Sequence, residues 1–121
     1  MKFLLMCCTE EKKIADMSKP EVEAIVEETL AYCEALQKNG TLILSEALEP
    51  VDMATTVRVR NGKSSTTDGP FAETKEQFGG FFLINARDLN EAIQIASKFP
   101  SARVGSLEVR PVRDLKKARR A

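Results

Sequence analysis

The carboxylate of Asp68 stands directly before Gly69-Pro70, and that order blocks its commonest local use. An Asp that opens a turn usually accepts a hydrogen bond from the N–H two residues on. Here that residue is Pro70, which has no N–H. Two uses remain. The side chain can accept from Phe71 N–H and cap a turn over 69–77, a contribution of about 1 kcal/mol. Alternatively it can serve as a general acid or base, if an apolar cavity raises its pKa toward neutrality by desolvation. Several neighbours in sequence can assist the second use. Arg58 and Lys75 can hold an anionic group, and Glu46 and Glu73 can reach a shared pocket. Thr66 and Thr67 offer hydroxyls, and Gly79-Gly80 permits close backbone approach. Each of these also has a plainer reading, as surface charge, strand surface or a loop-to-strand transition.

Other chemistry is poorly supplied. The chain has no His, and its cysteines, Cys7, Cys8 and Cys33, are odd in number with no C-x-x-C spacing. A Cys/His zinc site is excluded and a disulfide framework is not expected. Free thiols in a reducing cytoplasm are the expectation. Cys7 and Cys8 are adjacent, so on a strand they face opposite sides, and no imidazole is present to activate either. Neither G-x-x-x-x-G-K-[ST] nor G-x-G-x-x-G occurs. No metal and no organic cofactor is therefore expected.

The elements that must position Asp68 follow from periodicity and capping. Residues 2–8 form an apolar run bounded by charge, which suits a buried strand. Residues 9–17 read as a polar connection. Ser18-Lys19-Pro20-Glu21 has the form of a capping box with Pro in the first turn. A helix follows with Val22, Ile25, Val26, Thr29, Cys33 and Leu36 on its inner face, ended by Asn39-Gly40. Strands are expected at 41–48 and 55–60. The second alternates Thr56, Arg58, Arg60 against Thr55, Val57, Val59. Asn61-Gly62 is a strong type I′ hairpin signal, with 63–67 as the returning strand. Residues 70–77 are expected to form one or two helical turns, and 80–86 a buried strand. Asp88-Leu89-Asn90-Glu91 caps a second helix with Leu89, Ala92, Ile93, Ala96 and Phe99 inward, ended by Pro100. Residues 107–112 form the last strand. The order, β-α-β, hairpin, β-α-β, predicts an α+β ferredoxin-like sandwich with a hairpin inserted at its centre.

With 121 residues, 43% of them hydrophobic, and no internal repeat, the chain is read as one domain over 1–112 and a basic tail over 113–121. Residues 110–121 carry six basic groups and one acid, which leaves the rest of the chain at a balance of −5. The tail reads as a solvated terminus, and the basic surface is too small to suggest nucleic-acid binding. Met1–Cys8 is too short an apolar run for a secretory signal, and no segment is long enough to span a membrane. A cytoplasmic protein is expected.

Phe3-Leu4-Leu5-Met6-Cys7-Cys8 and Phe81-Phe82-Leu83-Ile84 are apolar on both faces, whereas a half-solvated strand alternates. Two helices cover only one face of such a sheet. A second copy of the chain on a twofold axis is the simplest cover for the other, giving a homodimer through the open sheet face.

Four segments also carry a family likeness: Ala54-Thr55-Thr56-Val57-Arg58, Thr67-Asp68-Gly69-Pro70-Phe71-Ala72-Glu73-Thr74-Lys75-Glu76, Gly79-Gly80-Phe81 and Glu108-Val109-Arg110-Pro111. Together they resemble the DGPF (YCII-related) family of small bacterial proteins, from about Lys2 to Val112. The resemblance implies a dimeric α+β barrel of ferredoxin-like subunits. It also implies relatives fused to extracytoplasmic-function sigma factors. In the wider group an Asp pairs with a His as a suggested active site. Asp68 matches that Asp by motif, and the His half has no counterpart in this chain. Three functions follow as expectations. One is binding of a small polar or anionic organic ligand near Asp68. The second is a cofactor-free enzyme with Asp68 as acid/base, and the third a regulatory or structural dimer linked to transcription. The fold alone does not choose among them.

Overall fold

The structure is a computed structural model, and residues 1–120 are described. Six strands and five helices follow in the order β1 (Lys2–Thr9), α1 (Glu11–Ala15), α2 (Lys19–Lys38), β2 (Leu42–Ala47), a 3-10 turn (Val51–Met53), β3 (Thr55–Arg60), β4 (Lys63–Asp68), β5 (Gln77–Asn85), α3 (Leu89–Ser97), α4 (Ser101–Val104), β6 (Ser106–Pro111) and α5 (Leu115–Arg120). Four strands form one sheet in the order β2-β5-β1-β6, each antiparallel to its neighbour. β3 and β4 form a separate two-stranded sheet. This is the expected ferredoxin-like arrangement, with the hairpin inserted between the second and third strands of the main sheet.

The local signals explain most boundaries. Ser18 Oγ accepts from Glu21 N at 3.3 Å and donates to the Glu21 carboxylate at 2.9 Å, so the N-cap forms and the Glu21 side chain returns to the Ser18 hydroxyl. Asp88 Oδ1 accepts from Glu91 N at 2.9 Å, while Arg87 N donates back to Glu91 Oε1 at 3.0 Å. Gly40 leaves α2 at a φ of 80°, which costs glycine nothing. Asn61 and Gly62 adopt φ of 52° and 75°, the two positive angles that a type I′ turn requires.

Both long helices pack on one face of the main sheet. Phe3, Leu5, Ile84 and Phe99 are essentially inaccessible there, with Leu36, Leu42, Phe82, Ala86, Ala92 and Ala96 around them. Phe82 stacks on Phe99 at 4.0 Å between ring centroids, and Tyr32 meets Phe99 edge-on at 4.6 Å. The Tyr32 hydroxyl donates to Ile95 O at 2.8 Å, so its polar end is satisfied where α2 meets α3. Burying each large apolar side chain contributes about 1.5–3 kcal/mol, and this face holds most of them.

Several expectations are corrected. Residues 70–77 form bends and no helical turn. Part of the stretch read as a polar connection, 9–17, is α1, and Pro100 is followed at once by the short helix α4. The basic tail carries α5, whose first turn is capped by Asp114 Oδ1, accepting from Lys116 N at 3.0 Å. Val26, Leu89 and Ile93, counted on inner helix faces, are exposed. Ile95 and Tyr32 take inner positions instead. Among the described residues no helix is long and apolar enough to cross a membrane.

Candidate functional site

The chain leaves β4 at Asp68 and crosses to β5 through a loop held from three sides. From the hairpin, Ala54 O accepts from Gly69 N at 2.7 Å, and Thr56 Oγ1 donates to Gly69 O at 2.8 Å. Arg58 Nη2 reaches Phe71 O at 3.4 Å. Gly69 has a φ of 97°, a conformation other residues seldom adopt, so the turn needs glycine at this position. From β5, Gln77 Nε2 donates to Thr74 O at 2.6 Å, and Gln77 Oε1 accepts from Glu11 N at 2.8 Å. Glu11 Oε2 in turn accepts from Val51 N at 3.1 Å. One amide and one carboxylate thus tie together the start of α1, the 3-10 turn and the loop.

Two open clefts flank this junction. The first, about 380 Å³, is lined by Val51, Asp52, Gly69, Pro70, Ala72, Glu73, Thr74 and Gln77. The second, about 490 Å³, lies between α1 and the β2 exit, with Glu11, Leu48, Pro50 and Gly79 among its walls. The first contains the loop that the sequence singles out. It presents the carboxylates of Asp52 and Glu73, and no ion pair occupies either among the described residues.

The expected site residues separate. Asp68 is exposed, and its carboxylate takes no hydrogen bond among the described residues. The cap on Phe71 N–H is not formed, because no helical turn comes after it to be capped. Asp68 pairs with Thr55 across the hairpin, at the edge of the first cleft rather than in its lining. Glu73 lines that cleft and Gly79 lines the other. Arg58 braces the loop through Phe71 O. Lys75 is exposed and contributes its carbonyl to Gln77. Glu46 lies on the open face of the sheet opposite Phe81.

Gly79 and Gly80 belong to β5 rather than to a loop before it. Gly79 is the extra residue of a bulge, since Cys7 pairs with Gly80 and Cys8 with Phe78. Gly80 is buried where a Cβ would come within 2.9 Å of Glu46 O. The first glycine re-aims the strand and the second lets β2 approach.

Sequence reasoning missed Glu11, Val51, Asp52 and Gln77. Gln77 closes a polar run directly before an apolar strand, the place where an amide can bond both ways. Glu49-Pro50 registered only as a strand breaker, yet the next two residues, Val51 and Asp52, line the cleft. Neither Cys8 nor Cys33 is activated. Burial pushes Cys8 up from the ordinary thiol value, helped by Cys7, Glu108 and Glu76. Cys33 is raised by burial despite a hydrogen bond with Ser45.

Comparison with known proteins bears on the family and the fold. The chain is 36% identical over 114 residues to an uncharacterized protein of Rhizobium meliloti strain 1021, covering 93% of this chain and 92% of that one. It is similar in structure to 5-chloro-2-hydroxyhydroquinone dehydrochlorinase of Burkholderia phenoliruptrix AC1100, solved in complex with 2,5-dihydroxybenzoquinone. The TM-score is 0.50 at 15% identity, over 97% of this chain and 98% of that chain. That likeness concerns the fold. The model of the YCII-related domain matches residues 1–116, and the chain therefore belongs to the YCII-related family.

Proposed function

We propose that this protein binds a small polar organic molecule in the cleft beneath the 69–74 loop, beside Asp68, and does so as a cytoplasmic homodimer joined through the open sheet face. The observation that carries the reading is the cleft of about 380 Å³, walled by that loop and braced by Gln77 and Glu11. Pockets of this size, with few and convergent polar groups, are typical of small-ligand sites. The structural neighbour of the same fold holds a dihydroxybenzoquinone, so a cyclic molecule of that size is compatible with the fold.

The lining favours a ligand rich in hydrogen-bond donors over an anion. Asp52 and Glu73 are both acceptors, and Arg58, one of the two expected anion holders, is engaged with Phe71 O. A second reading, a cofactor-free enzyme with Asp68 as acid/base, draws on one fact: the carboxylate is not used as a cap. Without a His partner it has no built-in relay.

A thermal-shift screen comparing neutral hydroxylated rings with their carboxylate analogues tests the proposal. A binder at one hundred times its Kd stabilises the native state by about 2.7 kcal/mol. Shifts from the neutral set, lost in Asp52→Asn with Glu73→Gln, are expected. A shift that survives both substitutions places the ligand elsewhere. Light scattering that reports a monomer at micromolar concentration removes the homodimer.

A further inference from the structure

The β3–β4 hairpin stands apart from the body that makes it. Its strands pair in a ladder only with each other, and among the described residues no helix or other strand packs broadly on them. Every residue of β4 is exposed. On β3 the half-buried side is the polar one, Thr56 and Arg58 against the 69–71 loop, while Val57 and Val59 stand in solvent at 62% and 61% exposure. Phe71, on the loop those two polar side chains hold, is 80% exposed. An isolated two-stranded hairpin is marginal in water, and β-branched residues favour strands because they pack against a surface. Here that packing surface is missing among the described residues.

The open face of the main sheet supplies part of the answer. Leu4, Met6, Phe81 and Leu83 lie on it half-buried, with Leu44 and Phe78 more exposed. Four strands about 4.8 Å apart, some six residues long at about 3.3 Å each, give a footprint of roughly 400 Å². A stable complex uses about 800 Å² of accessible surface per partner. Side-chain relief enlarges the footprint, but the protomer already half-covers these residues, so the sheet face alone falls short. The valine side of the hairpin adds roughly 200 Å² on the same spacing.

We propose that the hairpin is an intersubunit arm: its valine side lies on a second copy of the chain, and the candidate cleft is complete only in that dimer. The inference rests on the homodimer reading. The link to the site is mechanical. Thr56 and Arg58 fasten Gly69 and Phe71 to the hairpin, and Gly69, Pro70 and Ala72 are one wall of the cleft. The arm and the wall are therefore one body, so docking the arm fixes the wall.

Sedimentation velocity and hydrogen exchange of the full chain test this together. Wild type is expected to be a dimer, with amides of 55–72 losing protection on dilution through the dissociation range. Val57→Asp with Val59→Asp is expected to weaken the dimer at least tenfold at unchanged far-ultraviolet dichroism. Val57→Ser with Val59→Ser is the milder variant, should the first disturb the hairpin. A dimer of undiminished affinity in the serine variant, or protection at 55–72 that ignores concentration, overturns the arm while leaving the homodimer intact. A monomeric wild type overturns both.

Discussion

The two faces of the main sheet are built from the same strands and end in opposite conditions. On the helix side, Phe3, Leu5, Phe82 and Ile84 meet α2 and α3 and lose nearly all contact with water. On the other side, Leu4, Met6, Phe81 and Leu83 are equally apolar and only half covered. Strand alternation decides which residue faces where, but it does not decide how well each face is covered. The difference teaches that the helices finish one face and leave the other half open.

The largest test of that contrast is Leu5→Ala against Leu4→Ala, neighbours on one strand. Truncating the fully buried Leu5 is expected to cost about 2–5 kcal/mol. Truncating Leu4 is expected to cost about 1 kcal/mol in the isolated protomer, since less area returns to water. Chemical denaturation at two protein concentrations sharpens it. If the open face is an interface, the Leu4→Ala loss grows with protein concentration and the Leu5→Ala loss does not. Equal losses at all concentrations break the comparison.

The two glycines of β5 extend the contrast to the backbone. A methyl at Gly80 would sit 2.9 Å from Glu46 O, against backbone that cannot swing aside, whereas Gly79 has nothing within 4 Å. Gly80→Ala is expected to destabilise by about 1–3 kcal/mol, as overpacking does. Gly79→Ala is expected to stay within about 0.5 kcal/mol. Thermal melts of both variants check this. A ligand-contact role for Gly79 would show as weakened binding at that same near-unchanged melt.

Much of this fold is legible in the order of residues alone. Ser18, Asp88, Asn39-Gly40 and Asn61-Gly62 mark their turns because capping and positive φ are local demands, met by few residue types. The features that escaped depend on distant partners. α1 begins where Glu11 N finds Gln77 Oε1, sixty-six residues on, and no local signal announces that. The 70–77 segment lacks the helical turn because carbonyls along the 69–74 loop are taken individually by Thr56, Arg58 and Gln77. Val57 and Val59 alternate as a strand should, and periodicity cannot tell that their side is the solvated one. The candidate site was half visible. The 68–73 motif located the loop, and its opposite wall, Val51 and Asp52, came from a segment with no distinguishing pattern.

A smaller effect concerns the helix layer. Arg103 grips Glu28 with two nitrogens, at 3.2 and 2.6 Å, joining α4 to α2. That hydrogen bonding holds the Glu28 carboxyl below its ordinary value. A lowered folded-state pKa means the contribution is complete above the unfolded value and is lost as pH falls through the folded one. The melting temperatures of wild type and Glu28→Gln are expected to differ at neutral pH and to converge below the carboxylate range. The gap should be small and shrink with salt, because the pair is exposed.

The smallest expected effect is the most informative about function. Asp68 accepts no hydrogen bond among the described residues and is exposed, so Asp68→Asn removes a charge without removing a contact. Stability is expected to change by no more than about 0.5 kcal/mol, well within what a melt resolves as near zero. Asp88→Ala supplies the control, since there a carboxylate does cap a helix and its loss costs about 1 kcal/mol. The two acids are alike in type and in position before a turn, and they differ in that one is used by the fold. A stable Asp68→Asn that no longer binds the hydroxylated rings assigns the carboxylate to the ligand. A drop of several degrees means instead that Asp68 meets a partner in the assembled protein, and its place at the foot of the hairpin makes a second copy the one to examine.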